Sequence, residues 1–358
     1  MRMLLAGGGT GGHLFPAVAI AEELLRQEQD AAVHFVGTAR GLEARLLPQL
    51  GLPLELIDMA GLVGRGLSGA LQLGPKLARS LRQSLRILRD FAPDLVIGVG
   101  GYASFPVLLA AGIKGIPVVL HEQNAQPGLS NRVLARFARR VCLSIQGSGS
   151  GLPERKLVMT GNPLRQGVVS VAAELPQRGK LLVFGGSRGA HAINELMVET
   201  LPLLRAGGMT AAVVHQTGED DAAWVEAAYL EKGVRGVEVV PFIGDMGRAY
   251  AEAGLVLCRA GATTIAELCA CGRPAVLIPF PYAAADHQTA NARALESAGA
   301  ARLLPQQGLG AKELATEISG LWADRDRRES MAAAARGLGH MDAAARVVEV
   351  CRQVLSED

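Results

Sequence analysis

Two Rossmann-like α/β domains facing across a cleft are the fold class the sequence predicts. Three observations predict it. Short apolar runs alternate with amphipathic helical stretches along the whole chain, as in a parallel sheet covered on both faces. The chain opens on strand, glycine turn and helix (RMLLAGGGTGGHLFPAVAIAEEL, residues 2–24). The same pattern returns at KLLVFGGSRGAHAINELM, residues 180–197, so the 358 residues hold two similar halves of ordinary domain size.

In the first half the strands read 3–6, 32–36, 54–58, 95–99, 117–120 and 140–144. Helices read 16–28, 40–50, 75–91, 105–113 and 127–138. The turn Gly161-Asn162-Pro163 and a polar connection then lead to Lys180, placing the domains at 1–162 and 163–340. In the second half the strands read 181–184, 211–215, 237–240, 255–258, 275–278 and 301–303. Helices read 190–204, 220–232, 245–252, 263–271, 286–298, 311–323 and 326–337, and a last one covers 342–355.

Composition sets bounds. The chain is 49% hydrophobic and 4% aromatic, which is globular rather than disordered. A net charge of +2 supplies no field for nucleic acid. Cysteines 142, 258, 269, 271 and 351 are odd in number and scattered, which fits a reducing compartment better than a disulfide framework. Cys269 and Cys271 lack the second pair a zinc site needs, so they read as core residues, and no other metal cluster has convincing spacing. No basic leader with a cleavage site precedes the first strand. The uncharged stretch Leu95 to Ile113 contains four glycines and a proline, and reads as strand, turn and helix rather than a membrane span. The expected location is cytoplasmic.

Gly7 to Gly12 are all glycine except Thr10. Glycines let the backbone turn at positive φ and approach a ligand closely. The first-turn amides of the following helix then attract an anion. Gly7, Gly9 and Gly12 fit G-x-G-x-x-G, which suggests a dinucleotide site and an NAD-dependent oxidoreductase. That reading needs an acid at the end of the next strand to hold a ribose. The strand ends in Gly37-Thr38, and Glu43 comes too late, which disfavours NAD. Segments 8–13, 100–104 and 121–124 all lie at carboxyl ends of strands and are expected to converge.

Several side chains suit chemistry. His13 is a candidate general base, because a helix N-terminus keeps imidazole neutral. It could equally cap the turn or bond a phosphate. Glu122 is the rival base. Arg165 and helix termini suit the charge of a leaving group. Arg259 to Glu267 form a second strand-to-helix turn whose amides could receive a diphosphate, with Glu267 placed to accept from two ribose hydroxyls. Thr264-x-x-Glu267 is also a capping box. Asp286, His287 and Gln288 gather groups suited to sugar hydroxyls, and Asp286 could also be an N-cap. Helix 75–91 carries a leucine stripe (77, 81, 85, 88) and a basic stripe (76, 79, 82, 86, 89). The latter is either a solvated face or a surface for anionic lipid headgroups.

GGTGGH (8–13), GGY (100–102), HEQN (121–124), GNPLR (161–165), GGSRGA (185–190), RAGATTIAE (259–267) and DHQTANA (286–292) closely resemble, in order and spacing, the MurG family of peptidoglycan N-acetylglucosaminyltransferases, within glycosyltransferase family 28. The resemblance covers essentially the whole chain. It implies a GT-B fold without a cofactor. It implies inverting transfer of GlcNAc from UDP-GlcNAc to the MurNAc 4-hydroxyl of lipid I (undecaprenyl-pyrophosphoryl-MurNAc-pentapeptide), giving lipid II. A UDP-GlcNAc 2-epimerase of the same fold, or a nucleotide-sugar binder without catalysis, is the alternative.

By similarity, Ser187, Ile243, Ala262, Thr263, Thr264, Ile265, Ala266, Glu267 and Gln288 contact UDP-GlcNAc, with Arg165 at the interdomain edge. Thr10, Gly11, Gly12 and Asn124 reach the donor from the N-terminal domain. That domain receives the acceptor, and the final helix (341–358) packs back on it. The resemblance also implies peripheral attachment at the cytoplasmic side of the inner membrane, with helix 75–91 against anionic phospholipid. Three positions depart from the family pattern and bear on acceptor contact. Arg188 stands where Gln or Leu is frequent, Val63 removes a cation from the loop GLVGRG (61–66), and GGYASFP replaces a more glycine-rich version.

Overall fold

A computed structural model describes residues 1–59, 67–171, 174–186, 188–283 and 286–357. Its contacts divide the chain into two compact units, residues 1–165 with 341–358, and residues 166–340.

The first unit runs β1 (Arg2–Ala6), α1 (Gly11–Gln27), β2 (Ala32–Gly37), α2 (Glu43–Gln49), β3 (Leu54–Leu56), α3 (Leu67–Phe91), β4 (Leu95–Gly98), α4 (Ser104–Ile113), β5 (Val118–Glu122), α5 (Leu129–Leu134), β6 (Arg140–Leu143) and β7 (Leu157–Met159). Its sheet has the order β3-β2-β1-β4-β5-β6-β7, with every pairing parallel. Met3 lies opposite Val33 on one side and Leu95 on the other. β4 and β5 are buried along their full length, because helices cover both faces.

The second unit runs α6 (Gln166–Val169), β8 (Lys180–Phe184), α7 (His191–Ala206), β9 (Val213–Gln216), α8 (Ala222–Glu231), β10 (Val237–Val240), α9 (Met246–Glu252), β11 (Ala253–Cys258), α10 (Ala262–Cys271), β12 (Ala275–Leu277), α11 (His287–Ser297), β13 (Ala301–Leu303), α12 (Ala311–Ala323) and α13 (Arg325–Gly337). Its sheet order is β10-β9-β8-β11-β12-β13. In both sheets the order reverses beside the first strand, between β1 and β4 and between β8 and β11. Ligands of open α/β sheets bind outside the strand ends at such points.

The final helix, α14 (Ala343–Ser356), belongs to the first unit. Val347, Val348, Val350, Cys351 and Val354 join Met3, Leu5, Leu14, Val18 and Leu24 in one core on one face of the sheet. On the other face, Leu88 is buried, and Leu77, Leu81 and Leu85 of α3 pack against the core. Arg79, Arg82, Arg86 and Arg89 are exposed. Arg79 pairs with Asp58 and Arg86 with Glu55, so part of the basic stripe meets carboxylates of its own unit.

The expected elements differ from this in places. β7 is a seventh strand that the reading did not contain. Its residues Leu157, Val158 and Met159 are only partly buried at the sheet edge, so they give no long apolar run. α3 begins at Leu67 and continues through Pro75, which marks an interior position rather than the helix start. Proline there removes one backbone donor and the helix tolerates the loss. α5 is shorter than the span 127–138, ending at Leu134 before a turn. The five cysteines are free and buried, Cys269 and Cys271 included. Residues 61–66, with Val63, lie outside the described residues. No described helix is long and apolar enough to cross a membrane.

Candidate active site

In the first unit the glycine turn follows β1 directly. Gly8 has φ +142° and Gly9 has φ +90°. The turn and the 100–101 loop after β4 touch backbone to backbone. A Cβ on Gly101 would stand 2.5 Å from the Gly8 carbonyl oxygen, so a side chain there would force the loops apart. α1 then starts at Gly11, and Thr10 is its N-cap without a side-chain cap bond. His13 is half-buried in the first turn, with Nδ1 3.4 Å from Thr10 Oγ1. Its ring lies against Gly100, where a Cβ would come within 2.7 Å of Cδ2.

The HEQN segment ends β5 and ties three pieces of chain together. His121 is fully buried. Gln123 Nε2 donates to His121 Nδ1 at 3.0 Å and to the Val99 carbonyl at 2.9 Å. This leaves His121 Nε2–H to donate to the Gly161 carbonyl at 3.2 Å. Burial holds this imidazole neutral and lowers its pKa from 6.5 to about 4.

Glu122 is 2% exposed and both its oxygens are engaged. Oε1 accepts from Asn124 N at 3.0 Å and from Asn124 Nδ2 at 3.3 Å. Oε2 accepts from Gly128 N at 3.0 Å and from Asn131 Nδ2 at 2.8 Å. A carboxylate holding four donors shapes the 123–131 stretch from within. Arg165 stacks on Phe15 of α1, its guanidinium carbon 4.3 Å from the ring centroid. Its Nε is buried without a hydrogen-bond partner among the described residues. Turn, 100–101 loop and HEQN segment therefore converge, as their places at strand ends predict.

Glu43, too late in the chain to serve as the ribose-binding acid of a dinucleotide site, sits elsewhere in the fold. It is 1% exposed, and its Oε2 accepts the Gly9 N–H at 2.7 Å. Oε1 accepts Thr38 N at 2.8 Å and Thr38 Oγ1 at 3.1 Å. No acid stands at the end of β2 itself; Glu43, from the start of α2, is instead turned inward onto the glycine turn.

In the second unit α10 begins at Ala262 with Gly261 as N-cap, which offers no side-chain acceptor. Thr264 is therefore inside the helix, and Thr264-x-x-Glu267 is not a capping box. Glu267 is buried and accepts from Tyr250 Oη at 3.0 Å. Ala262, Thr263 and Ile265 are buried, while Thr264 and Ala266 are half-exposed.

Arg259, just before this turn, donates to the Ile278 and Pro279 carbonyls at 3.0 Å and to Gln306. Asn291 Nδ2 donates to the Ala260 carbonyl at 3.0 Å. These two side chains fasten the 259–260 turn to Ile278-Pro279 at the end of β12 and to α11, a role the sequence did not show. Asp286 stands at the N-cap of α11 with φ +51° and makes no side-chain cap bond, so it is an exposed carboxylate on a strained residue rather than a cap. Gln288 Oε1 accepts Phe280 N at 2.9 Å. Ile243 is half-buried between β10 and α9. Ser187 lies outside the described residues. No group of three or more His, Cys, Asp or Glu side chains is placed to hold a metal among the described residues.

Residues 3–143 match the glycosyltransferase family 28 N-terminal domain, and residues 180–347 match the family 28 C-terminal domain. The chain belongs to glycosyltransferase family 28. Its two Rossmann-like units are the GT-B class of fold. The UDP-N-acetylglucosamine–N-acetylmuramyl-(pentapeptide) pyrophosphoryl-undecaprenol N-acetylglucosamine transferase of Syntrophotalea carbinolica is 55% identical over 358 residues, 100% of both chains. The crystal structure of Acinetobacter baumannii MurG, at 34% identity, superposes with a TM-score of 0.77, covering 98% of this chain and 99% of that one. A putative UDP-N-acetylglucosamine 2-epimerase from Listeria monocytogenes has a TM-score of 0.73 at 14% identity, covering 100% and 97% of the two chains, and shares the fold alone.

Proposed function

We propose that the protein transfers GlcNAc from UDP-GlcNAc to the MurNAc 4-hydroxyl of lipid I, with inversion, giving lipid II. The observation that carries this reading is the 55% identity, end to end, to a transferase of that name. The site chemistry agrees with it. The acceptor oxygen bonds to the anomeric carbon as the bond to UDP breaks, and His13 takes the acceptor proton. His13 is the better base because Glu122 has both oxygens committed.

The second unit holds the donor. The open N-terminus of α10 and the glycine turn with Ser187 receive the diphosphate. Ile243 borders the base, Glu267 takes the ribose, and Asp286 and Gln288 orient the sugar. From the first unit, Thr10, Gly11, Gly12 and Asn124 border the donor, and Arg165 offsets the charge of departing UDP. The first unit receives lipid I. Arg82 and the half-buried Lys76, which have no carboxylate partner among the described residues, meet anionic phospholipid, so the protein sits peripherally on the cytoplasmic side of the membrane.

The test is a transfer assay with labelled UDP-GlcNAc and a short-chain lipid I analogue, with and without EDTA. Labelled β-linked disaccharide lipid is expected in both. Product lost only with EDTA would keep the transferase and overturn leaving-group stabilisation by helix termini and Arg165. UDP-ManNAc formed without lipid product would make it an epimerase.

A further inference from the structure

We infer that Glu43 is a positioning residue for this reaction, a built-in anion that sets the first glycine turn and, through it, His13. The inference rests on the transfer reading above. Glu43 opens α2, distant in sequence from the turn, yet its carboxylate is buried and spans Gly9 on one side and Thr38 on the other. The surrounding backbone is cut to admit it. A Cβ on Gly8, Gly37 or Gly41 would stand 2.4, 2.3 or 2.1 Å from Glu43 atoms. No cation pairs with this carboxylate among the described residues; three hydrogen bonds hold it.

The amide of Gly9 is one that a dinucleotide-type turn would aim at phosphate. Here it is already taken, so this turn is shaped from within. Gly8 in turn abuts Gly101, and His13 rests over Gly100. The chain of contact runs from Glu43 through Gly8 and Gly9, across Gly100 and Gly101, to the His13 ring. A shift of the turn by a fraction of an ångström displaces the base from the acceptor hydroxyl, and misplacement on that scale is costly to rate.

The experiment compares wild type with Glu43→Gln, which keeps the shape, and Glu43→Ala, which empties the socket. Four readouts are taken: Tm, UDP affinity, kcat and acceptor KM in the transfer assay, and the His13 ring proton resonances, assigned through His13→Gln. Expected is a fall in kcat of about 10- to 100-fold in both variants with UDP affinity within about twofold. The His13 resonances shift, and formate or acetate partly restores the Ala variant. Overturning results are kcat within about twofold of wild type in both variants, or UDP affinity and kcat falling together with Tm and no rescue by anion. An inactive wild type would sink the transfer reading instead. The His13 resonances then decide alone: unmoved in Glu43→Gln, they remove Glu43 from its positioning role.

Discussion

The ring of His13 occupies the space that a Cβ on Gly100 would fill, at 2.7 Å from Cδ2. Gly100 also has φ +90°, a conformation costly to any other residue. Gly100→Ala is therefore expected to do two separable things. Backbone strain costs about 1–3 kcal/mol, read as a lower denaturation midpoint. Displacement of His13 lowers kcat by about tenfold or more while UDP affinity stays put. Full activity in a folded Gly100→Ala protein would show that the ring's seat on Gly100 is unimportant.

His13 and Glu122 are distinguished by the pH dependence of kcat/KM. A general base gives an acidic limb to that profile. The limb is expected to persist in Glu122→Gln and to disappear, with a large loss of rate, in His13→Ala. Glu122→Gln is expected to lose about 1–3 kcal/mol of stability, because an amide cannot accept from all four donors. Loss of the limb in the Gln variant would return Glu122 to the base role.

Two buried histidines, one in each unit, make stability fall on acidification. His121 and His215 are both neutral, and burial lowers each pKa from 6.5 to about 4. His215 lies between the Tyr229 hydroxyl at 3.0 Å and Asn194 Oδ1 at 3.1 Å. The unfolded chain takes up these protons near pH 6.5 and the folded chain only near 4. Between those values the unfolded state binds more protons, so stability declines as pH drops. The full effect is on the order of 3 kcal/mol per histidine. Urea unfolding at pH 7, 5.5 and 4.5 checks this. Midpoints independent of pH would contradict it.

Tyr250→Phe removes the hydroxyl that meets Glu267 and nothing else. Both residues are buried, so the lost bond is expected to cost about 1–3 kcal/mol. If Glu267 takes the ribose, UDP affinity falls as well, by several-fold, while the acceptor KM is unchanged. Calorimetric titration with UDP reads the first, and unaltered affinity would detach Glu267 from the nucleotide.

The alternation of strands and helices was legible because buried parallel strands such as Leu95–Gly98 are continuous apolar runs between turn residues. The two order reversals were legible too, since strand-end glycines mark both. What escaped was set by tertiary contact. Glu43 looks like an ordinary helix-opening acid until the fold brings Gly9 to it. Glu122 and Glu267 offer the same letter, yet one is saturated by Asn124, Gly128 and Asn131 while the other meets Tyr250. Thr264 and Glu267 have capping-box spacing, but the helix had already begun at Ala262. Arg259 and Asn291 bond to carbonyl groups, which leave no trace in a sequence.

The placement of α14 has a consequence for how the chain is made. Residues 166–340 form a contiguous unit, whereas the first unit needs residues 341–358 to finish its core. During synthesis, Val18, Leu24 and one face of β1 stay bare while the entire second unit leaves the ribosome. The unit begun first is thus the one completed last, and its long-range closure is a slow, aggregation-exposed step. An interruption of translation near residue 340 would release a chain with one finished unit and one open greasy face, a natural client for chaperones.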